Sequence, residues 1–240
     1  MQSTVNHLQD FVYDLKEESV LNFMGYADPS KARKPVLKIM REQLAFIDEW
    51  YEPWGQAIEV PLCGIDGDRI LLKKGLDQVV LRSEQLPKIL KNADAVTVLL
   101  VTAGSKVNQA SRQLMAEGKQ GQALAVDAIG SAMVVDLMKT LTEKVLQDAQ
   151  QRNHGTTLRV GPGYTGWHFD DQATLFSFYD DFVIPVTMSD GIMMEPKKSL
   201  LGMVGLTPGG KAAPEIEPCR ICDLKNCAMR KAPFRGVSSE

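Results

Sequence analysis

Apolar positions recur along this chain at two spacings, three-to-four residues and two, and their alternation predicts a mixed α+β body. Over residues 4–24, Val5, Leu8, Val12, Leu15 and Phe23 keep a loose helical period, stopped by Gly25 and Pro29. A second helix is predicted over 35–51, with Leu37, Met40, Leu44 and Ile47 as its stripe and Pro35 in its first turn. Residues 56–62 and 69–72 read as strands joined around Asp66-Gly67, a hairpin signal. A short helix over 83–91 leads into an apolar strand over 95–102, broken by Gly104. A helix over 106–117 ends at Gly118 and Gly121. The most regular period lies over 122–152, where Val126, Ile129, Met133, Leu137, Leu141 and Val145 predict a long helix. A strand over 157–160, a helix over 171–179 capped by Asp170, and strands over 183–188, 192–194 and 199–206 complete an α+β body over 1–207. Beyond Thr207 a Pro-, Gly- and Ala-rich linker leads into a cysteine-bearing appendage, 208–240.

Composition narrows the function. The chain has 240 residues, is 44% hydrophobic and 24% charged, and carries a formal charge of -3. Such a balance gives no electrostatic reason to expect nucleic acid or an acidic membrane surface. No apolar run approaches the roughly 20 residues of a spanning helix. Asp10, Asp14, Glu17 and Glu18 occupy the place where a signal peptide has basic and then apolar residues, so a cytoplasmic protein is expected. In a reducing compartment, Cys219, Cys222 and Cys227 suit a metal or redox centre better than a disulfide framework. Their Cys-x2-Cys-x4-Cys spacing offers three thiolates to one tetrahedral ion. A fourth ligand would come from Cys63, a histidine or another molecule. Zinc would make the tail a structural clip; an iron–sulfur cluster would make it an electron relay.

Three further segments carry chemistry. In Arg159-Val160-Gly161-Pro162-Gly163-Tyr164, followed by Trp167 and His168, an apolar run enters a stiff turn bearing a cation, open backbone and aromatic faces. The planar guanidinium matches a carboxylate, and the whole suits a small zwitterion with an adenine-like ring and a cationic centre. The alternative is an ordinary strand-to-helix turn with a surface arginine. Within the long helix, Asp127 and Ser131 are the only polar side chains between Ala123 and Val135, and they share a face. Small neighbours, Ala128, Gly130 and Ala132, admit a close partner. Asp127 would be buried, and would bond a ligand, pair with a cation such as Arg159, or cap a neighbouring loop. Asp136 is a second candidate, expected to face solvent. After the Ser189-Asp190-Gly191 turn, Met193 and Met194 precede Pro196 and Gly202, so a bulge or a ligand-facing edge is expected there.

Taken together, these segments resemble the activation (reactivation) domain of cobalamin-dependent methionine synthase in its shorter, free-standing bacterial form. The matching pieces are Asp127-Ala-Ile-Gly-Ser-Ala132, Arg159-Val-Gly-Pro-Gly-Tyr164, Trp167, Asp171-Gln172-x-x-Leu175-Phe176 and Met193-Met-x-Pro-x-Lys-Ser-x-x-Gly202. Leu21-Asn-Phe-Met-Gly-Tyr26 and Val101-Thr-Ala-Gly104 extend the likeness. The resemblance implies an S-adenosylmethionine-binding domain built on a twisted antiparallel sheet flanked by helices. It implies that Arg159 binds the ligand carboxylate, and that Gly161, Gly163 and Tyr164 hold its adenosyl and methyl-bearing parts. Asp127 and Asp136 are the candidates for the family's acidic contact on the helix before the turn. Tyr164, Trp167 and Met194 would face a corrinoid. The family's tyrosine after its Pro–Ser–Gly segment is replaced here by Val204. No Asp-x-His-x-x-Gly motif is present, so cobalamin would sit on a partner, a corrinoid-binding protein or cobalamin-dependent methyltransferase. The implied activity is reductive methylation of that partner's cob(II)alamin within a methyltransferase system, supplied by an electron donor. The alternative is a redox or metal-binding accessory protein acting through its cysteine tail.

Overall fold

The fold is organised by its most apolar strand. The run over 95–102 forms β5 (Ala95–Thr102), buried on both faces and paired antiparallel with β2 (Trp54–Asp66) and β9 (Ser199–Pro208). A strand flanked on both sides and covered on both faces needs no polar positions, which is why its apolar run is continuous. β3 (Arg69–Lys74), β4 (Asp77–Arg82) and β6 (His154–Thr156) extend the sheet to the order β4-β3-β2-β5-β9-β6, and β1 (Val5–Leu8) pairs with the first half of β2. A separate two-stranded hairpin joins β7 (Thr187–Ser189) to β8 (Met193–Glu195). This computed structural model describes residues 5–8, 11, 13–190, 192–210 and 222.

Helices cover both faces of the sheet. On one, α1 (Glu17–Phe23), α2 (Lys34–Leu44), α3 (Ile47–Trp50) and the long α6 (Gln120–Gln151) pack on Ala57, Leu99, Val101, Val204 and Leu206. α5 (Lys106–Ala116) lies against α6. On the other face, α4 (Leu86–Leu90) and α7 (Asp171–Phe176) pack with Trp167, Phe178 and Tyr179 on Ile58, Ile70, Val98, Leu100 and Met203. The expected α+β class and antiparallel sheet flanked by helices are therefore present. Among the described residues no helix is long and apolar enough to cross a membrane.

Several local expectations are corrected. The single helix over 4–24 is a strand, β1, followed after a connection by α1. Pairing with β2 claims the first stretch, and a loose period of five apolar positions does not distinguish the two outcomes. The helix over 35–51 divides at residues 45–46 into α2 and α3. Asp170 precedes α7 without a side-chain capping bond. The strand over 157–160 does not form: the ladder ends with β6 at Thr156, Thr157 Oγ1 accepts the Gly205 amide at 2.8 Å in place of a backbone carbonyl, and only Val160 returns to β9, through a single bridge to Met203. Residues 183–186 are not in a strand; Pro185 lacks the donor a ladder needs, and only 187–189 pair. Cys219 and Cys227 lie outside the described residues, with most of the 208–240 appendage. Cys222 is half-buried, and no group of three metal-ligating side chains occurs among the described residues.

Candidate functional site

The Arg159–Tyr164 segment is built from two close backbone approaches and two tight turns. Val160 exchanges both backbone hydrogen bonds with Met203 of β9, at 3.0 and 2.8 Å. A Cβ on Gly161 would lie 2.9 Å from the Leu201 carbonyl oxygen, and one on Gly202 would lie 3.0 Å from that of Val160. Only glycine at both positions lets the two backbones meet. Gly161-Pro162-Gly163-Tyr164 then closes through Tyr164 N–H donating to Gly161 O at 3.1 Å. Proline in the second place and Gly163 at φ +89° in the third make this the type II pattern. Trp167 N–H donates to Tyr164 O at 2.9 Å and closes a second turn, with Gly166 at φ +74°. Gly163 N–H donates to Trp167 O and locks the two together.

The turns are also held from outside. Ser83 Oγ donates to Gly166 O at 2.6 Å, and Glu84 N–H donates to the same oxygen at 3.1 Å. Trp167 is 4% exposed and lies in the core beneath the turn. Its indole N–H donates to Asp171 Oδ2 at 2.8 Å, and that oxygen also accepts the Arg82 amide. Trp167 thus supports the turn from within, and its burial removes it from the expected partner-facing surface. Tyr164 and Met194 are half-buried, with one side packed on the same core. Phe169, Ile192 and Met193 are the large apolar side chains left exposed in these segments. Phe169 lies over Gly163, and Gln172 Nε2 donates to Ile192 O at 2.6 Å, joining α7 to the β7–β8 hairpin.

Arg159 is half-buried, and among the described residues its guanidinium has no ion pair or hydrogen bond. Its Cγ lies 3.9 Å from where a Gly202 Cβ would stand. Gly202 sits between Leu200 and Val204, which pack on the α6 face, while Val160 faces the opposite core. Strand alternation therefore directs the Arg159 side chain to the α6 side of the sheet.

Asp127 is not a buried carboxylate, and Arg159 is not its partner. Its side chain is 52% exposed, and Oδ1 pairs with Lys198 Nζ at 2.8 Å. Lys198 Nζ also donates to Ser131 Oγ at 2.8 Å, and Ser131 Oγ donates to Asp127 O. Gly130 leaves room for the lysine stem: a Cβ there would meet Lys198 Cγ at 3.3 Å and Val107 Cγ2 at 2.7 Å. The small residues of the helix motif thus admit a neighbour from this same chain.

Asp136 departs from its expected solvent-facing position. It is half-buried and accepts the Asp14 amide at 3.2 Å. Burial is the largest influence on its carboxyl and raises its pKa, with the Asp14 amide opposing. Nine residues along a helix of about 3.6 per turn place it half a revolution from Asp127. The Tyr51 hydroxyl is pushed up chiefly by burial and then by the Asp136 charge, so the neighbours of Asp136 are Asp14 and Tyr51. Ser83, Phe169 and Lys198 were not singled out from sequence. Only Lys198, inside a quoted motif, carried a signal that finds it.

No family model matches the chain, and no curated protein sequence matches it. Among solved structures, the chain resembles the MetH reactivation domain bound to AdoHcy, with a TM-score of 0.61 at 15% identity. The match covers 88% of this chain and 81% of that one. The likeness is one of architecture: this chain has the reactivation-domain fold.

Proposed function

We propose that this protein binds S-adenosylmethionine and supports reductive methylation of cob(II)alamin carried by a partner corrinoid protein. One observation carries the reading: among the described residues Arg159 has no anion partner, on a turn rigidly fixed to β9, in a fold shared with a domain bound to AdoHcy. A guanidinium held without a carboxylate is prepared to receive one. In this reading Arg159 takes the amino-acid carboxylate, buried Gly161 seats the turn on β9 for the ligand, exposed Gly163 presents open backbone, and Tyr164 offers an aromatic face to the adenosyl and sulfonium parts. Met194, with the exposed Phe169, Ile192 and Met193, faces the partner.

The chemistry balances simply. Cob(II)alamin takes one electron from an external one-electron donor and becomes cob(I)alamin. The cobalt(I) electron pair attacks the methyl carbon; the cobalt–carbon bond forms as the sulfur–carbon bond breaks. The products are methylcob(III)alamin and neutral AdoHcy. No proton moves, so this chain needs no general base; its contribution is orientation of the methyl donor. An equilibrium titration of AdoHcy compares the wild type with Arg159→Ala. The expected result is a loss of about tenfold or more, the scale of a charge-assisted bidentate contact. Equal affinity in the two proteins would sink the assignment.

A further inference from the structure

Lys198 belongs to two motifs at once. It lies in the segment that joins the β7–β8 hairpin to β9, and its side chain crosses α6 at Gly130 to reach Asp127 and Ser131. Its backbone is engaged too. Lys198 O accepts the Ala103 amide at 2.9 Å and Thr102 Oγ1 at 3.3 Å, at the end of β5. Ser199 Oγ donates to Pro196 O at 2.6 Å and tightens the same bend. One residue therefore fastens α6, the end of β5 and the beginning of β9. The lysine side chain is only 15% exposed, although Asp127 is half open to solvent. A partly buried ammonium with two acceptors at 2.8 Å is held in one place, unlike a surface pair whose side chains remain mobile.

Four and five residues beyond Lys198, β9 reaches Gly202 and Met203, two positions on which the Arg159 turn rests. Three residues before it stands Glu195, the end of the hairpin that carries Met193 and Met194. The clamp thus sits between the two segments that the ligand reading needs in fixed relation. We infer that Lys198 is a positioning residue: held by Asp127, Ser131 and the space at Gly130, it sets the turn and the hairpin in the geometry that binds the ligand. This inference rests on the ligand reading above.

The test is AdoHcy titration of Lys198→Met, Lys198→Arg and Asp127→Asn beside wild type and Arg159→Ala, with a thermal unfolding curve for each. Lys198→Met is expected to bind about tenfold more weakly while still unfolding in one cooperative transition, and Lys198→Arg to recover most of that loss. Asp127→Asn keeps the lysine stem and weakens its anchor, so it answers the question if Lys198→Met fails to fold; a loss of severalfold is expected. Wild-type affinity in both Lys198→Met and Asp127→Asn, with Arg159→Ala weakened, overturns the clamp and leaves the ligand reading intact. Failure of Lys198→Arg to recover affinity in a folded protein also overturns it. Wild-type affinity in Arg159→Ala removes the ligand reading, and the clamp's role falls with it.

Discussion

Gly161→Ala tests whether the turn is fixed by a backbone contact that only glycine permits. Gly161 is not in the left-handed region, so alanine meets no dihedral penalty there, and the change isolates packing. The new methyl would stand 2.9 Å from the Leu201 carbonyl oxygen and 3.7 Å from Gly202 Cα. Both neighbours are backbone in a central strand, so neither yields as a flexible side chain would. Relief requires the segment to lift from β9, which stretches the paired Val160–Met203 hydrogen bonds at 3.0 and 2.8 Å. Overpacking costs about 1–3 kcal/mol, and each weakened hydrogen bond adds about 1. Stiffening the unfolded chain returns about 0.4–1 kcal/mol. A net loss of about 3 kcal/mol follows, or about 6–12 °C in melting temperature for a chain of this size. AdoHcy affinity should fall with it, since Arg159 moves with the turn. Gly64→Ala is the control: its methyl would meet only Leu71 Cδ1 at 3.9 Å, an ordinary contact. A Gly161→Ala protein melting within about 1 °C of the Gly64→Ala control would refute the steric account.

Two further outcomes are expected away from the turn. Gln56 is fully buried, and among the described residues neither its amide oxygen nor its nitrogen has a partner, so Gln56→Met should be neutral or raise stability by up to about 2 kcal/mol. A lower urea midpoint would show that the amide is bonded in solution. Asp136 has a carboxyl raised chiefly by burial, so the folded chain holds its proton more tightly than the unfolded one. The stability tied to that proton is complete below the unfolded value and is lost as pH rises through the folded one. Asp136→Asn, which can still accept the Asp14 amide, should therefore melt above wild type at neutral pH, with the gain closing at the acid end. Melts across that range check the sign, and a gain of the same size at both ends contradicts it.

What the sequence revealed depended on whether one interaction or several decided the outcome. β5 and α6 were legible because their burial alone sets the pattern: a continuous apolar run for one, a three-to-four period for the other. β1 was not, because residues 5–8 take their conformation from a partner about fifty positions away, in β2. β4 escaped notice beside a hairpin whose first two strands were found. The Gly-Pro-Gly turn could be read directly, since proline and glycine fix local backbone angles before any tertiary contact forms. The anions could not be assigned. Asp127 and Ser131 share a face by helical spacing, but Lys198 reaches them from 67 residues beyond Ser131. Likewise, four-residue spacing admits the Trp167–Asp171 bond, while the burial that makes it structural depends on β4 and α4.

That division separates two kinds of motif residue. Asp127, Ser131 and Gly130 hold Lys198; Gly161 and Gly202 let two backbones meet; Trp167 and Asp171 brace the turn from below. Each has a protein partner that accounts for its chemistry, so its presence in a motif is explained by assembly. Arg159 differs. A protein that needed only a stable turn would gain nothing from directing a half-buried guanidinium across Gly202 where none of the described residues supplies an anion to meet it. Removing that charge should therefore leave the turn in place, because every bond holding the turn comes from its neighbours. Arg159→Ala is expected to melt within about 0.5 kcal/mol of wild type, in the range of a substitution that breaks no structural contact. A large loss of stability would place Arg159 among the assembling residues after all. Unchanged stability with lost AdoHcy affinity is the signature of a group kept for a ligand.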